Sequence, residues 1–211
     1  MRVLSSVLFL GLCALSSSPA SAQIPWESPL LVGPESPAGV SLFLVDPGEG
    51  LGAMIHWQGR GGSRPLGFRV GLAETHRDEL GVFGGVDLRG AIYSHSEEFP
   101  LDVVWVTGAG LGISDGAVIT FPVGVSLGRV VTGEDVWFHP YLTPRLVIDA
   151  FLGGDEADGN GYGRGRNDLD LGLVFDLGAD FSFTGSWVLR LGASVGDRDG
   201  LAIGLSFPSG R

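Results

Sequence analysis

Residues 168–183, DLDLGLVFDLGADFSF, alternate without a break. Leu169, Leu171, Leu173, Phe175, Leu177, Ala179, Phe181 and Phe183 share one face. Asp168, Asp170, Gly172, Val174, Asp176, Gly178, Asp180 and Ser182 share the other. A helix advances about 100° per residue and would smear both sets around its circumference. A strand keeps them apart, so this stretch is a long strand with one bulky apolar face and one small or acidic face. Two all-β architectures accept such a strand, a soluble sandwich and a transmembrane barrel, and the rest of the chain chooses between them.

The first 22 residues stand outside the fold. Arg2, the apolar run VLFLGLCAL and Ala20-Ser21-Ala22 before Gln23 have the layout of an export leader. That run is too short to span a bilayer as a helix. Cys13, the one cysteine, lies inside it, and Leu12 stands where a lipoprotein signal wants a small residue. Acylation there is not expected, and the exported chain has no disulfide to hold it. About 189 residues remain, enough for one large domain.

The formal charge of -11 argues against nucleic acid or an anionic membrane surface as partner. The 36 glycines carry more information. They follow no collagen period and recur inside the strand-like segments. In a soluble core they would weaken the strands. On the inner wall of a narrow barrel they fit, because a small lumen has little room for side chains.

Residues 23–37 read as an irregular lead-in, since four prolines break any ladder. Ten strands are then expected, at 38–45, 51–58, 66–73, 80–90, 101–111, 117–129, 136–151, 168–183, 187–195 and 201–207. Eight is the alternative if two of these are misread. Ser114-Asp115-Gly116 signals a hairpin, and a polar connection occupies 91–100. Pro140 and Pro144 each remove a ladder donor, which predicts a bulge or irregularity beside them. The longest polar loop is 152–167, and residues 208–211 form a short tail.

The face opposite the bulky apolar residues carries Arg69, Asp87, Arg89, Asp102, Arg129, Arg145, Asp149, Asp170, Asp176, Asp180 and Arg190. The leader, the glycines on this polar face and the regular apolar face together favour a membrane. The expected fold is all-β: a single up-and-down antiparallel transmembrane β-barrel over 38–207. With the mature N-terminus inside the periplasm, the longest loop falls on the outer side. Asp170, Asp176 and Asp180 then face the lumen, where Arg145 or Arg190 should neutralise them. Trp57, Trp105, Trp137 and Trp187 give only a weak girdle signal. The competing class is a secreted soluble β-barrel or β-sandwich that binds a small apolar ligand.

On this pattern, and not on any diagnostic motif, the chain resembles the small outer-membrane β-barrel proteins of Gram-negative bacteria, the group of OmpX-like, OmpA-like and OmpW-like barrels. The resemblance covers about 38–207. It implies residence in the cell outer membrane, contact with outer-membrane lipid and delivery by the barrel assembly machinery. The family's assembly signal is an aromatic that ends the last strand. LAIGLSF supplies such a strand with Phe207 in that role, although Pro208-Ser209-Gly210-Arg211 follow it.

Chemistry is sparse. His76 reads as a loop residue beside Glu74 and Asp78. His95 lies in YSHSEE, where a Ser-His-Glu grouping would suit a hydrolase only if held within hydrogen-bond reach. His139, Tyr141, Arg145 and Asp149 share a strand face and read as an internal polar network. Ten-stranded outer-membrane proteases match in strand count, but their acidic pairs and His-Asp dyad have no counterpart positions. The 152–167 loop lacks the alternating acidic spacing of a calcium loop. No catalytic, cofactor or metal residue is assigned, no cofactor is expected, and the oligomeric state is left open. The resulting expectation is a structural or narrow-pore, porin-like role, more plugged by salt bridges than open; an outer-membrane hydrolase is the remaining alternative.

Overall fold

The computed structural model describes residues 25–47, 50–60, 65–74, 80–114, 116–134, 136–152, 169–183 and 185–209. The leader, His76, Asp168 and nearly all of the 152–167 loop, with its calcium reading, lie outside the described residues.

The described chain is all-β. Its strands are β1 (Gly39–Asp46), β2 (Gly52–Gln58), β3 (Leu66–Glu74), β4 (Leu80–Tyr93), β5 (Asp102–Ile113), β6 (Ala117–Gly128), β7 (Val131–Thr132), β8 (Trp137–Leu152), β9 (Leu169–Ser182), β10 (Val188–Gly196) and β11 (Gly200–Pro208). Neighbours in sequence pair antiparallel, β1 closes against β11, and β6 pairs with β8 past the two-residue β7. Ten strands therefore form a closed up-and-down barrel, and eight is ruled out. We call the end where β1 starts and β11 finishes the base, and the opposite end the top.

The pairing fixes the barrel's dimensions. A row of paired residues that leaves β9 at Phe181 passes Leu189, Leu205, Leu42, Ile55, Val70, Gly84, Leu111, Ile119 and Ala150. It returns to β9 at Leu169, twelve residues from its start. Ten strands with that stagger tilt by about 40° and set the backbone about 10 Å from the axis. An eight-stranded wall is filled by its own side chains; this one leaves room along the axis for one extended chain.

The alternation resolves as predicted. Leu169, Leu171, Leu173, Phe175 and Leu177 are exposed on the outside, as are Leu42, Ile55, Val70, Leu146 and Ile203 on other strands. Asp176, Asp180, Arg145 and Arg190 are buried inside. Aromatic residues collect on the outer surface near the base. There Trp57 meets Phe68 at 5.7 Å, Phe138 stacks on Phe181 at 4.6 Å and Phe183 meets Trp187 at 6.4 Å. Trp137 instead shares the inner-face parity of His139, with ring centroids 5.8 Å apart.

Two details differ from expectation, and a third meets it on one side only. The irregularity expected at Pro140 and Pro144 falls in the β6–β8 ladder, while the β8–β9 register runs unbroken, with no bulge. The two prolines share a parity, and the Pro140 carbonyl accepts from Arg129 N–H on the β6 side. Both missing donors therefore point away from β9, and only the β6–β8 ladder lapses, at 125–126. The one register shift in β4–β5 lies between Ala91 and Tyr93. Asp102 and Arg129 do not line the lumen: both sit at the base rim, Asp102 holding His95 and Arg129 donating to Pro100 O.

Candidate functional site: the plugged lumen

The lead-in fills the space along the axis. Trp26, Glu27, Leu30, Leu31 and Val32 are at most 1% exposed although they belong to no strand. Prolines keep this segment from adding to the wall, and its apolar side chains drive it inside. It runs from the upper half, where Glu27 meets the β10–β11 turn, down to Ala38 at the base, where Ser209 N–H donates to the Ala38 carbonyl. Leu31 is held at φ 55°, a left-handed conformation costing a non-glycine residue roughly 1 kcal/mol.

Inner-wall glycines make the seats. A Cβ at Gly85 or Gly110 would enter the Trp26 indole, and one at Gly108 would lie 2.8 Å from it. Gly192 makes the same room for Leu31. Indole Nε1–H donates to Thr120 O at 3.2 Å, and the Arg69 guanidinium stands 5.3 Å over the ring.

Four wall arginines then read the oxygens of the plug. Arg69 donates to Pro29 O at 3.3 Å and Leu30 O at 2.5 Å. Arg190 donates to Leu31 O at 2.7 Å and Ser36 Oγ at 3.2 Å. Arg89 bonds Gly33 O, and Ser36 O at 3.0 Å. Arg145 reaches the Glu27 carboxylate at 3.2 Å and its carbonyl at 3.4 Å. An unpaired buried carbonyl is costly, and a strandless segment can meet this need only from side chains.

The arginines are anchored by acids on neighbouring strands. Arg145 clasps Asp176 through Nε at 2.6 Å and Nη2 at 3.2 Å, with Ser194 Oγ donating to the same carboxylate at 2.6 Å. Arg198 bridges Glu27 and Asp149, and Thr120 Oγ1 donates to Asp149 at 2.7 Å. Arg69 pairs with Asp87 at 3.2 Å and Arg190 with Asp180 at 2.9 Å. Asp176 and Asp180 thus meet the two arginines that the sequence nominated.

The histidines separate into two kinds. His95 is half-exposed at the base, its Nδ1 2.9 Å from Asp102 Oδ1. The Ser96 hydroxyl is engaged by Tyr93 OH at 2.7 Å and the Phe99 amide at 3.2 Å. His56 and His139 are fully buried beside Asp87 and Asp180, and their ring nitrogens make no hydrogen bond. Sequence reasoning missed the plug. Its available signal was an apolar segment, with Trp26 and Leu30-Leu31-Val32, that its prolines bar from strand or helix.

A closed antiparallel barrel with an apolar exterior, an aromatic belt and its charges sealed inside is a membrane β-barrel protein. No family model and no curated relative matches the chain. Among solved structures, it is similar to one described as "KdgM porin", at 6% identity and a TM-score of 0.42, over 82% of this chain and 100% of that one. A second, described as "Unveiling the Mechanism Behind the in-meso Crystallization of Membrane Proteins", matches at 10% identity and a TM-score of 0.31, over 80% and 82%.

Proposed function

We propose that this protein is an outer-membrane β-barrel with a structural or narrow-pore role, closed at rest by its own N-terminal segment. The observation that carries the reading is the burial of Trp26 to Val32 on the barrel axis, with arginines from the wall bonded to their oxygens. An open porin leaves that volume to water. The leader at 1–22 supports export, and the outward leucines support lipid as the surrounding medium. A soluble carrier of an apolar ligand would turn those faces inward. The closing strand, with Phe207 exposed on its outer face, is the segment we assign to the assembly machinery.

Conductance in planar bilayers tests this. The full chain should pass little current, and a variant lacking residues 25–36 should give steady steps about tenfold larger. Equal conductance from both would overturn the reading.

A further inference from the structure

The two walls that grip the lower half of the plug are built alike. On one side His56, Arg69 and Asp87 come from the adjacent strands β2, β3 and β4. On the other, His139, Asp180 and Arg190 stand in one paired row across β8, β9 and β10. In each set an arginine holds plug carbonyls and an aspartate anchors the arginine. A histidine stands beside the same aspartate. His56 Nε2 is 3.4 Å from Asp87 Oδ2, the oxygen that Arg69 uses. His139 Nδ1 is 3.5 Å from Asp180 Oδ2, while Arg190 uses Oδ1.

All four ring nitrogens are buried without a hydrogen bond. A packing residue would serve better there if polarity had no use, since buried polar atoms without partners cost free energy. The charges around them define what a proton would do. His56 faces Asp87 and Arg69 from its own wall and Arg190 from the opposite one. His139 faces Asp180 and Tyr141, with Arg190 one strand further. Arg89 on β4 interacts with Arg190, Asp87, Asp180 and the exposed Glu35 of the plug. With neutral imidazoles, the buried charges are Arg69, Arg89 and Arg190 against Asp87 and Asp180. Two added protons enlarge that excess of positive charge in a low-dielectric interior. A protonated imidazole also shares its carboxylate with the arginine that holds the plug, Arg69 at Asp87 and Arg190 at Asp180.

We propose that His56 and His139 are proton sensors for the plug, and that their protonation releases residues 29–36 from the wall. This inference rests on the plug-closed reading of the barrel. The upper end is held separately, because Glu27 is bound by Arg145 and Arg198, and no histidine among the described residues belongs to that network. Acid therefore loosens the base half first and leaves the tip latched.

The test compares conductance from about pH 7.5 to about pH 4.5. The full chain should gain about tenfold in time-averaged conductance, a shift of the closed–open balance by roughly 1.4 kcal/mol. The His56→Gln, His139→Gln double variant should stay shut throughout, and each single variant should show a reduced gain. An unchanged acid response in the double variant, or none in the native chain, overturns the proposal. The variant lacking residues 25–36 separates the two readings. If it conducts at every pH while the full chain stays shut in acid, the switch fails and the plug stands. If it does not conduct, the plug reading itself fails.

Discussion

Arg145 shows what single residues contribute to this interior. Its guanidinium pairs with Asp176 from β9 and with Glu27 from the plug, so it ties the wall to the axis. Losing one partner of a buried ion pair leaves an uncompensated charge, which costs about 3–5 kcal/mol; losing all partners together costs far less. Arg145→Met should therefore sharply lower the midpoint of heat-induced mobility shift in detergent. The triple variant Arg145→Met, Glu27→Gln, Asp176→Asn should recover most of that loss. A midpoint unmoved by Arg145→Met would mean that the network carries no stability. The inner glycines act at the same scale by what they omit: Gly85, Gly108 and Gly110 are the floor under Trp26. In the sequence they read as a general sign of a narrow lumen. The specific side chain that each one accommodates was not legible, because Trp26 reaches its seat over more than 50 residues of chain.

At the scale of elements, β9 was legible because a two-residue period encodes its two faces directly. Leu177 lies near the middle of the strand and Leu169 at its top end. Arginine on a lipid-facing wall costs about 2–4 kcal/mol at midplane and about 0–1 kcal/mol near the interface. Leu177→Arg should thus lower unfolding free energy in lipid vesicles by several times more than Leu169→Arg, and equal losses would argue that β9 is not lipid-facing. The irregularity expected at Pro140 and Pro144 is present on one side only, and sequence does not hold which side. Whether a proline disrupts a ladder depends on which neighbour its missing donor faces, and here that is β6 and not β9. The plug was illegible as an element. It has no period, and its partners lie 118 positions away at Arg145 and 159 at Arg190.

The whole molecule follows from its stagger. A displacement of twelve residues around ten strands opens an axis about one extended chain wide, and the lead-in is the chain that occupies it. Its seating joins wall and plug into one unit: Phe43 and Val45 of β1 and Met54 of β2 turn inward onto Trp26 and Leu31. Ser28 gives the most direct test of this arrangement. Its Oγ lies 2.8 Å from where a Cβ at Gly200 would stand, a separation that suits a disulfide. Cys13 lies within residues 1–22, which we propose are removed as an export leader, and the two introduced thiols should then be the only ones. Ser28→Cys with Gly200→Cys should form an internal disulfide in the native membrane, seen as a faster-migrating band that reductant abolishes. Two thiols that stay free and react fully with a water-soluble maleimide would place the N-terminal segment outside the lumen and contradict the plugged barrel.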